Sequence, residues 1–350
     1  MLPVGDGGEG RARSREQKLR VAFAALLFYA CVLACPVDAQ DKKLEKFFLS
    51  NSTLSESRAP LYMAKDLGLY EKFGLDAQIV NIRGSAINNA SLMAGEIQMA
   101  VANGTIAITA AARGAPIVIL ATIGPTKYSL VSRTITSAQH LKGKIIAIGG
   151  YGIGDYFVLR RLLPKLGLNP EKDVTLLPTG TTSSFDRINI MLAGKADAVM
   201  ATKGNLDRIE IRGIRLNVLA GTEEQGVDVS GGDFFTTREF LKTRPNQVKA
   251  MFRAFSEAVR IGRENREVFY RAIRSYMRED NPKLLAKLYE SHYFLGPRPH
   301  TAEPLEKALD LDIKDMLATI PELKGKKAAD FIDTTPLKEV EKEGFFAWAK

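Results

Sequence analysis

Short apolar runs alternate with amphipathic stretches along most of this chain, and the alternation assigns elements. Apolar or β-branched runs at 44–50, 77–82, 98–102, 116–123, 145–149, 174–178, 197–201 and 215–221 predict strands. Helical spacing of apolar residues predicts helices over 59–72, 86–94, 155–166 and 184–193. Pro164 should end or kink the third of these after Leu163. Strands alternating with helices imply parallel βαβ units with right-handed crossovers, an α/β fold.

The pattern also repeats. LMAGEIQMAVA (92–102) aligns without a gap on MLAGKADAVMA (191–201), at an offset of 99 residues. Each copy reads as a helix end, a glycine cap, a charged turn and a short buried strand. Repeats of that length are lobes, well beyond the period of a solenoid. From about residue 236 the chain becomes mostly helical, with Val248, Met251, Phe252, Phe255 and Val259 spaced to form one buried face. Ligands of open α/β sheets sit beyond the carboxyl ends of the strands, so two facing lobes predict a cleft. The loops reaching it are 52–60, 83–89, 102–105, 149–155, 179–184 and 201–205.

Within those loops Arg58, just before Pro60, is the best-placed cation for an anionic group. Ser57, Ser85, Asn103, Thr105 and Thr202 are short hydrogen-bonding residues that suit either a ligand or a turn and cap role. Tyr151 suits stacking on a planar ligand or covering the hinge. The glycine-rich stretch AIGGYGIGDYF (147–157) spaces Gly150, Gly152 and Gly154 as G-x-G-x-G. That is neither the dinucleotide fingerprint nor a phosphate-binding loop ending in Gly-Lys-Ser/Thr. Glycines there let the backbone approach a ligand, or simply turn the chain; Asp155 would cap the next helix and compete with an anion for its N–H groups.

Composition removes other chemistries. The two cysteines, Cys31 and Cys35, and the basic stretch 11–20 with the apolar run 21–34 form a secretory signal peptide over 1–39. The run is too short for a membrane span. Cleavage near Ala39 would leave no thiol for redox or metal chemistry, whereas VLAC before Pro36 would make Cys35 a lipid anchor. Of 49 basic and 40 acidic residues, 44 and 36 lie beyond residue 40, a net charge of +8. The basic residues are interspersed with acids, which argues against nucleic acid, and in FYRAIRSYMRED (269–280) they form one exposed helix face. His140, His292 and His300 lie outside every cleft loop and lack metal-ligand spacing, and no nucleophile elbow occurs. No cofactor, metal or catalytic residue is predicted.

At APLYMAKDLGLYEKFGLDAQIV (59–80), then SLMAGEIQMAVAN, ARGAPIVILA, LKGKIIAI, LGLNPEKDVTLLPTG, LAGKADAVMA and TTREFLKTRPNQVKAM, the chain resembles exported solute-binding proteins of ABC importers. The branch is the nitrate, sulfonate, taurine and thiamine-pyrimidine-precursor type, and the match runs from about residue 44 to 255. The resemblance implies a type 2 periplasmic-binding-protein fold, each lobe a mostly parallel sheet flanked by helices. Lobe 1 would span 40–130 and lobe 2 131–227, with 228–350 returning to lobe 1 and its C-terminal helices; hinges would lie near 129–134 and 225–236. It places ligand contacts on Ser57, Arg58, Gly84, Ser85, Asn103, Tyr151 through Gly154, and Thr202. It implies a periplasmic, monomeric receptor with a small polar or anionic solute, and a membrane permease and ATPase as partners. Asp155 makes a plain oxyanion such as nitrate a poorer fit. The same scaffold carries synthases of the thiamine pyrimidine precursor that use a histidine and a lysine in the cleft; Lys203 is near, and no histidine is.

Overall fold

The computed structural model describes residues 43–82, 85–151, 154–181, 183–293 and 302–347. The signal peptide, Cys31, Cys35, Gly84, Gly152 and His300 lie outside the described residues, as do the side chains of Ser85 and His292. The first half comprises β1 (Glu45–Asn51), α1 (Ala59–Asp66), α2 (Leu69–Lys72), β2 (Leu75–Asn81), α3 (Ser85–Met93), β3 (Met99–Ala102), α4 (Gly104–Ala112) and β4 (Ile117–Thr122). The second comprises β5 (Tyr128–Ser132), β6 (Lys144–Ile148), α5 (Gly154–Lys165), β7 (Val174–Pro178), α6 (Ser184–Leu192), β8 (Ala198–Thr202), α7 (Lys203–Ile211) and β9 (Asn217–Gly221). After β10 (Asp233–Thr237) come α8 (Arg238–Thr243), α9 (Pro245–Glu264), α10 (Arg266–Met277), α11 (Pro282–Tyr293), α12 (Glu306–Met316) and α13 (Thr335–Lys342).

The strands form two five-stranded mixed sheets, ordered β2-β1-β3-β10-β4 and β7-β6-β8-β5-β9. In each, four strands run one way and one runs against them: β10 lies antiparallel between β3 and β4, and β5 antiparallel between β8 and β9. Alternating side chains serve opposite faces. Met99 and Val101 join the core under α1, α9 and α10, while Ala100 and Ala102 join that under α4 and α12. Ile146 and Ile148 pack with α5, and Ala147 with α6. The internal repeat is α3–β3 and α6–β8, and Gly95 and Gly194 close the helices with nearly equal φ of 75° and 76°. Only glycine takes that left-handed conformation without strain, which is why the Ala-Gly step recurs.

Three expectations change. The helix over 59–72 is two helices, broken where Gly68 turns left-handed. Helix α5 continues past Leu163 and carries Pro164 in its last turn, then closes with Leu168 N–H donating to the Leu163 carbonyl at 3.0 Å. A proline that late forfeits only its own helical bond. The hinge expected at 129–134 falls inside β5, a strand of the second sheet, so the boundary at 130 divides a strand. The chain crosses between sheets at 123–127, and again at 222–232. The crossing segments lie side by side, Ile123 N–H donating to Gly232 O at 2.7 Å and Thr126 N–H to Val229 O at 3.3 Å.

On α9, Val248, Met251, Phe252 and Phe255 are buried as their spacing predicts, and Val259 partly so. Among the described residues no helix is long and apolar enough to cross a membrane.

Candidate functional site

Between the sheets lies a cavity of about 810 Å³, lined from both lobes and by both crossing segments. Of the residues singled out by sequence, Ser57, Arg58, Asn103, Thr105, Gly154 and Thr202 line it. Tyr151 does not: the residue is 64% exposed, and its ring rests edge-on against Tyr156 at 5.4 Å.

Arg58 precedes the Pro-capped start of α1, and its side chain is buried. Its Nε and Nη1 donate to nothing among the described residues. Burial pulls the guanidinium down to about 10, with the field of Asp233 opposing, so the group stays charged at neutral pH. It lies against the backbone of Gly232, where a Cβ would overlap Nη1. A buried cation with free N–H groups on a cavity wall is costly unless something accepts them.

Asp233 opens β10 behind this wall. Its Oδ2 accepts from Ser230 Oγ at 2.6 Å and from Gly104 N–H at 2.9 Å. Burial nevertheless pushes its carboxyl up to about 6. Asp312, facing Arg161 Nη2 at 2.6 Å, is likewise raised by burial to about 6. Because these folded-state values exceed the ordinary 3.8, the native chain binds more protons than the unfolded one across that window. Stability therefore falls as pH rises from 3.8 through about 6, and Asp233→Asn should flatten that slope in denaturant titrations. Protonating Asp233 also removes the negative charge beside Arg58, so an anion should bind more tightly at about pH 5 than at pH 7.

Asn103 caps α4: its Oδ1 accepts from Thr105 N–H at 3.0 Å and Thr105 Oγ1 at 2.7 Å. Its amide nitrogen faces Gly154 across the cleft, 2.7 Å from where a Cβ on that glycine would sit. Gly154 is thus a point of close approach between lobes. Ser57 Oγ shares a hydrogen bond with Ser55 Oγ at 2.8 Å, and the Thr202 hydroxyl makes no capping bond to α7.

In the glycine-rich loop Asp155 takes the Gly149 N–H on Oδ2 at 2.8 Å and faces Arg187 Nη2 at 3.3 Å. Arg187 Nη1 donates to Thr181 O at 3.0 Å. The loop's N–H at Gly149 is thus already satisfied by the loop's own carboxylate and is not open to an anion. Sequence reasoning missed Arg187, Tyr128, Arg208, Arg212 and Arg278, all of which line the cavity. Tyr128 starts β5, tied by its N–H to Thr222 Oγ1 at 3.0 Å. None of these carries a local motif; the arginines are spaced like ordinary solvated helix positions. Among the described residues no group of three or more His, Cys, Asp or Glu could hold a metal.

Residues 56–266, more than half of the sequence, match the family described as NMT1/THI5 like. The chain belongs to that family. YtlA of Bacillus subtilis (strain 168), named as a binding protein, is 26% identical over 248 residues, 67% of this chain and 73% of that one. The periplasmic aliphatic sulphonate binding protein SsuA of Escherichia coli superposes with a TM-score of 0.65 at 18% identity, covering 82% of this chain and 97% of its own. The periplasmic nitrate-binding protein NrtA of Synechocystis PCC 6803 gives a TM-score of 0.62 at 16% identity, covering 88% of each. At such identities the likeness to these two structures is one of fold, the two-lobed periplasmic-binding-protein type.

Proposed function

We propose that this protein is an exported solute-binding protein that holds a small polar or anionic organic molecule between its lobes and delivers it to the permease and ATPase of an ABC importer. The observation that carries the reading is the buried, unpartnered guanidinium of Arg58 on the wall of an inter-lobe cavity. An acid group in the cavity beside the guanidinium would supply the opposite charge and an acceptor that these N–H groups lack. The family match and the binding role named for YtlA support it. The cleft offers a synthase little: Lys203 lines the cavity, but its ammonium is paired with the buried Asp207 carboxylate.

Thermal unfolding against sulfonates, carboxylates, nitrate, amino acids and pyrimidines tests this. Binding to the native state alone stabilises by about 2.7 kcal/mol at a hundred times the dissociation constant. One acidic class should raise the midpoint, and Arg58→Met should weaken that binding by about 2–5 kcal/mol, roughly thirtyfold or more. A ligand held equally well by Arg58→Met would refute the assignment.

A further inference from the structure

The cavity extends from Arg58 to a second group of cations at its other lining elements. Arg208 and Arg212 stand one helical turn apart at the end of α7, in lobe 2. Arg278 follows α10, from the helical region packed on lobe 1. Arg208 Nη2 contacts Met277 Sδ at 3.8 Å, which brings it beside Arg278. All three line the cavity, and among the described residues none has an acidic partner. Other lining cations are neutralised: Arg187 by Asp155, Lys127 by Glu223 at 2.5 Å, and Lys203 by Asp207. The nearest lining acid in sequence, Glu279, uses Oε1 to accept the Asn281 N–H at 3.2 Å.

This arrangement opposes folding in two ways. Like charges one turn apart on a helix repel. Arg278 also adopts φ 54°, the left-handed region, which an arginine takes up only against strain. Such strain concentrates where function requires it. Arg212 is further held in place, its guanidinium 4.9 Å from the centre of the Phe185 ring, another lining residue. A cavity of about 810 Å³ is far larger than one compact oxyanion needs, so a ligand seated at Arg58 leaves room to reach the second cluster.

We infer that the cleft takes a dianionic organic acid, one acid group at Arg58 and the second at a subsite formed by Arg208, Arg212 and Arg278. This rests on the solute-binding reading above. The subsite draws its arginines from α7 and from the end of α10, so the second acid group bridges these two elements.

Calorimetric titration of the purified protein with linear alkanedioates and benzenedicarboxylates, each against its monoamide, tests the inference. At least one diacid should bind about tenfold or more tighter than its monoamide. Arg208→Gln/Arg212→Gln and, separately, Arg278→Gly should bring that ratio close to one. Glycine suits the left-handed position, so Arg278→Gly should hold or raise the unfolding midpoint, separating lost recognition from misfolding. Monoamides binding as tightly as diacids, or a ratio unmoved in these variants, would overturn the second subsite and leave acid binding at Arg58 standing. Absence of binding by both series would overturn the subsite, with the panel of the preceding test showing whether the solute-binding reading falls with it.

Discussion

Gly231→Ala is expected to destabilise the protein by about 3 kcal/mol or more. A Cβ at 231 would overlap the carbonyl oxygen of Gly124, 2.9 Å from its carbonyl carbon and 3.3 Å from Thr126 Oγ1. The obstacle is backbone and cannot swing aside as a side chain could. Gly124 is itself confined to glycine by its φ of 132°. Hydrogen bonds on both sides of the contact, Ile123 to Gly232 and Thr126 to Val229, hold the two crossing segments at that separation. Equilibrium denaturation compares the variant with wild type; an unchanged midpoint would show that the segments do not pack this closely. Gly232→Ala offers a contrast, because its Cβ meets the tip of Arg58, so the acid site should suffer more than the fold.

Arg187→Met should cost about 3–5 kcal/mol, because it leaves the Asp155 carboxylate charged, buried and without its cation. The side chains of Arg187 and Asp155 are only 2% and 4% exposed, so water cannot replace the lost partner. Adding Asp155→Asn removes the stranded charge, and the double variant should regain more than half of the loss. A double-mutant cycle in denaturant measures the coupling. Equal stabilities of the single and double variants would mean that the pair does not act as a unit.

Much of this architecture is legible in sequence because its elements announce themselves locally. LMAGEIQMAVA and MLAGKADAVMA each carry an amphipathic helix end, a glycine and an apolar strand, and those signals survive in the fold as α3–β3 and α6–β8. The strands Tyr128–Ser132 and Asp233–Thr237 are less visible. Each is short, and each earns its place only by pairing with residues far away in the sequence, Tyr128 with Thr202 and Asp233 with Ala102, a relation no window along the sequence contains. The same limit governs the cleft. Arg58, Asn103 and Gly154 sit on loops at strand ends, where topology predicts ligands, and they come together at the cavity. Arg187, Arg208, Arg212 and Arg278 are scattered over three elements, and only their three-dimensional convergence distinguishes them from surface arginines. Asp233 is hidden for a further reason, since its raised carboxyl reflects burial.

The insertion of the late strand β10 into the first sheet also sets an order of assembly. Within its sheet β4 bonds only to β10, so the first sheet stays divided until residue 237 has been made. By then nearly all of the second sheet's chain has left the ribosome, and an N-terminal half released alone would carry an unpaired edge at Met99–Ala102. The first sheet is therefore incomplete within its own half, and long-range pairing of this kind slows folding. For a chain exported as we propose, that delay keeps the polypeptide threadable until it has crossed the membrane. A shuffled variant, with β10 moved next to β4 in the sequence, should fold faster and be secreted less.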